Sequence, residues 1–164
     1  CWSLVGSEMC IRDSNRKVYI SGEIVPEVDA KISIFDSAVL LGDTVTESTR
    51  TFNFKPFKLD EHLERLYKSF KLTRIDPQMT IEEMKKVSLE LLEINKDNYK
   101  ANEDCWLVHN ISRGHSITGG NPALQVSKPT VMIYTQPMNL VLWAPFYTKG
   151  CHAVTPPTLS LIHI

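Results

Sequence analysis

Between Lys17 and Val25 (KVYISGEIV), apolar and polar side chains alternate on either side of Ser21-Gly22. A period of two belongs to a pleated strand, and a small pair of this kind suits a two-residue loop, so the pattern predicts a β-hairpin. Lys31 to Phe35 (KISIF) predicts a further short extended piece. Val45 to Phe52 is rich in Thr, Val and Phe and reads as a strand. Asn53-Phe54-Lys55 makes a turn, and Pro56 to Leu59 returns as an edge strand, where a residue without an N–H is tolerated. The period then changes. Leu59, Leu63, Leu66, Tyr67 and Phe70 recur at helical spacing, with Asp60 as the N-cap. Thr80 opens a second helix with Glu83 in the capping-box position, and Met84, Val87, Leu91 and Ile94 line its buried side. Beyond the polar stretch 96–104, Cys105 to Ile111 and Thr130 to Thr135 read as strands around a Gly- and Pro-containing loop, 116–127. Pro137 to Pro145 is expected as a linker with some buried apolar residues, and Gly150 to Thr155 as the start of another strand. Strands, two helices and strands again make an α+β fold, not a regular βαβ winding.

The two ends have a different origin in this reading. Met9 to Ser14 can be encoded by ATG TGT ATA AGA GAC AG plus one base, and the reverse complement of that DNA reads Leu-Ser-Leu-Ile-His and opens an Ile codon, which is the tail from Leu159 to Ile164. One inverted DNA repeat at both ends resembles the adapter of a transposase-based sequencing library. Residues 1–14 and 159–164 are therefore expected to be adapter-derived and to pack poorly against the rest. A signal peptide does not fit the head, which lacks a basic start and a long apolar run.

Charge and composition narrow the function classes. The chain has 18 Lys and Arg against 19 Asp and Glu, and setting aside Glu8, Arg12 and Asp13 of the head brings the two signs level. No strong field for nucleic acid or an anionic membrane results. No apolar run approaches the roughly 18 residues of a membrane-spanning helix. Cys1 and Cys10 lie in the head, and Cys105 and Cys151 have no CxxC or metal-ligand spacing, which suits a reduced, cytoplasmic setting. His109, His115 and His152 have no metal-like spacing either, so no metal is expected.

The stretch from Asp36 to Leu66, DSAVLLGDTVTESTRTFNFKPFKLDEHLERL, carries a recognisable constellation. It has Gly42-Asp43, an acid at Glu47 and His62-Leu63-Glu64-Arg65-Leu66; Ser112-Arg113-Gly114 follows a strand, and Lys149-Gly150 opens the next. In order and spacing it resembles the class IV (fold-type IV) pyridoxal-phosphate aminotransferases, the branched-chain and D-amino-acid group. The resemblance implies the small N-terminal α+β domain of that fold over 15–136, with 137–158 as interdomain linker and first strand of a larger domain. It implies pyridoxal 5'-phosphate as cofactor, an amino acid and a 2-oxo acid as substrates, and a homodimer. The Schiff-base lysine of the family is expected beyond Thr158. No catalytic residue is then assigned within the chain, which is expected to be an inactive fragment, and Lys149 stands at a strand start ahead of the reactive position.

By resemblance Arg65 binds the cofactor phosphate, for which a planar guanidinium is well shaped. Arg65 also lies about 200° around the helix from Leu63, clear of the apolar face, where a solvated arginine pairing with Glu61 is the plainer reading. Arg50 aligns with a substrate-facing arginine and could hold a carboxylate, or could be an outward charge on a half-exposed strand. Leu41 and Thr46 stand where members of the class often carry pocket aromatics, which implies a reshaped substrate pocket. Glu47 shares the parity of Val45 and Thr49, and either faces the pocket or is a structural acid tied to backbone or Arg50. Arg113 lines the cofactor side or pins its loop, and His62 is packed or capped. A Pro-Arg-x-His run resembling the carboxylate trap of D-amino-acid aminotransferases is absent after Arg113, which favours branched-chain substrates. The alternatives are 4-amino-4-deoxychorismate lyase, an (R)-amine or D-amino-acid transaminase of the same fold, and a catalytically dead binding domain.

Overall fold

The computed structural model describes residues 15–100, 103–115, 128–138 and 140–154. The two ends read as adapter and the 116–127 loop lie outside the described residues.

The hairpin forms as expected from β1 (Lys17–Ile20) and β2 (Glu23–Pro26), with Ser21 and Gly22 both at positive φ in the turn. A second tight turn, through Asn53 and Phe54 at positive φ, joins β3 (Thr44–Phe52) to β4 (Lys55–Pro56). With β5 (Cys105–Ser112) and β6 (Thr130–Pro137) these make one antiparallel sheet in the order β2-β1-β6-β5-β3-β4. The long register from Thr44↔Ser112 to Arg50↔Trp106 holds β3 against β5.

Two helices, α2 (Leu59–Thr73) and α3 (Ile81–Asn95), cover one face of this sheet. Their stripes of Leu63, Leu66 and Phe70, and of Met84, Leu91 and Leu92, meet Val45, Leu107, Ile111 and Ile133 of the strands. Leu63, Met84 and Leu91 lose all contact with solvent, each contributing about 1.5–3 kcal/mol. The Asn95 amide ties the end of α3 to β1 as a strand would, accepting from Lys17 N at 2.7 Å and donating to Lys17 O at 2.9 Å.

Several local expectations change. The capping box holds: Thr80 Oγ1 accepts from Glu83 N, and the Glu83 carboxylate accepts from Thr80 N. Asp60 does not cap α2. The helix starts two residues earlier than that cap implies, at Leu59, after Lys58 in a left-handed conformation, and Asp60 lies in the first turn, where its charge faces the positive end of the helix dipole. On α3 Ile94 turns outward, while Ser88, Leu92 and Asn95 are buried. No strand forms at 31–35; instead a short helix, α1 (Ser37–Leu41), follows, with the Asp36 carboxylate accepting from Ala38 N at 2.9 Å and Gly42 closing it at positive φ. The expected linker is helical from Leu140 to Lys149 (α4), and Gly150, at positive φ, donates back to Phe146 O. Pro145 sits inside this helix; its missing N–H costs one helical bond. Residues 150–154 form no strand, as no described strand lies beside them to pair with.

Candidate functional site

The alternation of β3 places Val45, Glu47, Thr49 and Thr51 under the helices, and Thr46, Ser48 and Phe52 on the other face. The direction of its peptide groups also alternates. Phe57 N donates to Arg50 O at 2.9 Å from the β4 side, so the even-numbered residues point their N–H and C=O that way while the odd-numbered ones bond β5. β4 pairs only with Thr51 and Phe52. From Thr44 to Ser48 that edge has no strand neighbour among the described residues.

Three side chains converge beside this open edge. Glu47 is buried, and its carboxylate accepts from Arg65 Nε at 2.7 Å and Arg65 Nη2 at 2.6 Å. His62, one turn earlier on α2, brings Nδ1 to 2.8 Å from the same carboxylate. Burial raises the Glu47 pKa, but the bonds from Arg65 and His62 outweigh it and hold the carboxyl below its ordinary range. Glu47 grips one edge of the Arg65 guanidinium. Nη2 also lies 3.2 Å from His62 Nδ1, and the Arg65 side chain is 66% exposed, with Nη1 outside the Glu47 contact. A guanidinium held in this way is a preorganised two-pronged donor for an oxyanion.

Sequence reasoning assigned Glu47 the parity of Val45 and Thr49 but left open whether it faces the pocket or is a structural acid tied to backbone or Arg50. The structure gives that place to Arg65 and His62. Arg50 is on the opposite face of β3, with its guanidinium carbon 3.9 Å from the centre of the Phe52 ring. Thr46 is exposed on that same face, within 3.4 Å of Asn110 Oδ1, and Leu41 is exposed at the end of α1. Arg65 and Arg50 thus flank the open edge from its two sides. Lys149 ends α4 and joins neither group.

The Gly-Asp and Ser-Arg-Gly motifs meet each other. Arg113 Nε donates to Asp43 Oδ2 at 2.7 Å and Nη2 to Asp43 Oδ1 at 3.2 Å. The same guanidinium reaches Thr73 O at 3.0 Å and Arg74 O at 2.9 Å, the carbonyls that end α2. Arg113 therefore pins its surroundings. A second pair, Ser88 with His109, was missed because their 21-residue separation carries no local pattern: Ser88 Oγ lies 2.7 Å from His109 Nε2 in the core. A cleft of ≈ 550 Å³ opens on the helix-free face, over Val18, Ile20, Ile32, Met132 and Tyr134, and none of the Glu47, Arg65 or Arg50 side chains lines it.

The model of the class IV amino-transferases matches residues 44–158, most of the chain. The chain belongs to the class IV amino-transferase family. Among its curated relatives, a protein of Methanocaldococcus jannaschii described as a putative branched-chain-amino-acid aminotransferase is 39% identical over 122 residues, covering 74% of this chain and 40% of that one. The D-alanine aminotransferase of Staphylococcus epidermidis is 32% identical over 120 residues, covering 73% and 41%. In fold, this class IV chain is similar to a T.th. branched-chain amino acid aminotransferase solved with pyridoxamine 5'-phosphate, with a TM-score of 0.65 at 24% identity over 76% of this chain and 41% of that one. The chain thus spans about two fifths of the length of the relatives it matches. The α+β expectation holds, as an antiparallel sheet with helices on one face. No helix among the described residues is long and apolar enough to cross a membrane.

Proposed function

We propose that this class IV chain serves a pyridoxal-phosphate-dependent aminotransferase that moves an amino group between an amino acid, of branched-chain type, and a 2-oxo acid. The observation that carries the reading is the exposed Arg65 guanidinium, held on one side by the buried Glu47 carboxylate, beside a strand edge unpaired among the described residues. The fit to a cofactor phosphate is chemical: two parallel N–H groups and a positive charge held in place before the anion arrives. When bound, pyridoxal 5'-phosphate supplies the electron sink of the reaction. Arg65 anchors its phosphate, Glu47 and His62 keep Arg65 from swinging into solvent, and Thr46, Arg50 and Leu41 form the substrate side. Arg50 offers a cation for a substrate carboxylate and Thr46 a small polar wall. The relative from M. jannaschii and the missing Pro-Arg-x-His run both favour branched-chain over D-amino-acid substrates.

The sheet ends at Pro137, which supports residues 15–136 as one small domain with the following segment leading out of it. A homodimer is supported by Ile34, Phe35, Val39, Leu40 and Leu41, apolar side chains left exposed around α1. A cytoplasmic setting is supported by Cys105 and Cys151, which are both free thiols.

Equilibrium dialysis of the full-length protein against pyridoxal 5'-phosphate tests the reading. Arg65→Met is expected to weaken binding at least about tenfold, the scale of one charge-assisted pair; unchanged affinity overturns the assignment. Arg50→Met should raise the KM for the 2-oxo acid with little change in kcat, as for a residue that binds ground and transition states alike.

A further inference from the structure

We propose that Arg113 is a positioning residue for Arg65, setting where the phosphate-binding edge points although it touches no ligand itself. The inference rests on the reading of Arg65 above. Its basis is that Arg113 and Glu47 tie the same two elements together at two separate places. Glu47 joins β3 to the middle of α2 through Arg65. Arg113 joins Asp43, the residue before β3, to the carbonyls of Thr73 and Arg74 at the end of α2.

The spacing of the two ties agrees on both elements. From Arg65 to Thr73 the helix advances about 12 Å at its rise of about 1.5 Å per residue. From Asp43 to Glu47 the extended chain advances about 13 Å at its rise of about 3.3 Å per residue. The ties are thus two rungs of one ladder between helix and strand. One rung alone leaves α2 able to slide or pivot on its apolar stripe, because contacts between hydrocarbon side chains are non-directional. Two rungs fix distance and direction together.

Arginine suits this task through its shape. Its planar fork meets Asp43 with Nε and Nη2 while Nη1 and Nη2 also reach two carbonyls on the helix side. Those carbonyls end α2, where peptide groups lack helical partners and the dipole is negative, so a cation satisfies both. The Arg113 and Asp43 side chains are only 22% and 25% exposed, which shields the pair from water. A lysine offers one point charge and cannot span the same partners. Displacement of a binding group by about 1 Å is enough to cost binding or rate severely, so a small slide of α2 is felt at Arg65.

The test is a set of binding measurements on the full-length protein with pyridoxal 5'-phosphate as probe, at urea concentrations well inside the native baseline of every variant. Arg113→Met is expected to weaken binding about tenfold in the folded protein, and Asp43→Asn similarly; the double variant should be no worse than the poorer single one, as for two partners of one contact. In an Arg65→Met background, Arg113→Met should have no further effect, since there is no longer a guanidinium to aim. A merely structural role predicts a lower urea midpoint with unchanged affinity of the folded protein, or losses from Arg65 and Arg113 that add; either result overturns the proposal. If Arg113→Met does not fold, Arg113→Lys enters the same comparison and is expected to show a smaller loss that also vanishes in the Arg65→Met background. Should Arg65→Met alone leave affinity intact, the reading of Arg65 falls and this inference with it. Should Arg65→Met weaken binding while Arg113→Met does not, only the positioning role is lost.

Discussion

The ionisable groups packed between sheet and helices behave in opposite ways. Glu47 and His109 sit across from one another on paired strands. Glu47 has donors and stays charged. His109 has a single neutral partner, Ser88, whose hydroxyl also donates to Met84 O at 2.7 Å, so the imidazole must supply the proton of the Ser88 contact and Nδ1 is left without a hydrogen-bond partner. Burial pushes the His109 pKa down to about 4, only partly offset by the Glu47 charge. Because the folded value lies below the unfolded one, near 6.5, the unfolded chain takes up a proton first as the pH drops. Stability should therefore be full above about pH 6.5 and fall on the way to pH 4, by on the order of 3 kcal/mol. Glu47 adds its own loss from the ordinary carboxylate range downward, until the pH passes its depressed folded pKa. Urea midpoints measured from pH 4.5 to 7 should slope in the wild type and flatten in His109→Leu; equal slopes would show that His109 is not the group responsible. That Glu47 shares a face with Val45 and Thr49 was legible from the strand period; that this face is the buried one was not. Its partnership with Arg65 was not, since 18 residues and a change of secondary structure separate them.

Helix α3 shows where periodicity stops. Leu92 and Ile94 lie about 80° to either side of Met84 around the helix axis. The apolar spacing of Met84, Val87 and Leu91 leans to the Ile94 side, yet Leu92 is 4% exposed and Ile94 43%. The side that is covered depends on how α3 leans across the sheet, with Asn95 hooked to β1. Leu92→Ala should cost about 2–5 kcal/mol and Ile94→Ala less than about 1 kcal/mol by urea denaturation; similar costs would contradict the observed lean. The start of the same helix was readable, because a capping box is local chemistry, and Thr80→Ala should cost about 1 kcal/mol. α1 and α4 were not. One is too short to show a period, and the other contains a proline that reads as a breaker when its surroundings are unknown.

Among the described residues, helices α2 and α3 cover one face of the sheet, and β3 is open along part of its outer edge. Exposed edges are usually blunted or covered, and this one carries Arg65 on one flank and Arg50 on the other. Hydrogen exchange on the 164-residue chain should show alternating protection along β3. The amides of Val45, Glu47 and Thr49, which face β5, should exchange slowly. Thr46 should exchange much faster, while Ser48, whose N–H meets the Glu47 carboxylate at 3.1 Å, should be intermediate. Uniform protection would mean that the edge is covered in solution.

The sequence by itself determined several features that depend on neighbours along the chain: the two hairpin turns, the period of β3, the apolar stripe of α2, the Thr80 cap and the motif constellation of the family. These follow from backbone preferences and side-chain spacing within a few residues, which any fold containing the segment must respect. The tertiary structure decided the partners. It chose Arg65 over Arg50 for Glu47, joined Asp43 to Arg113 and Ser88 to His109, and, among the described residues, left the edge of β3 away from β5 without a strand neighbour from Thr44 to Ser48. Those outcomes depend on which surfaces come together when the apolar stripes are buried. Burial is non-directional, so the pattern says that a face must be covered without saying by what.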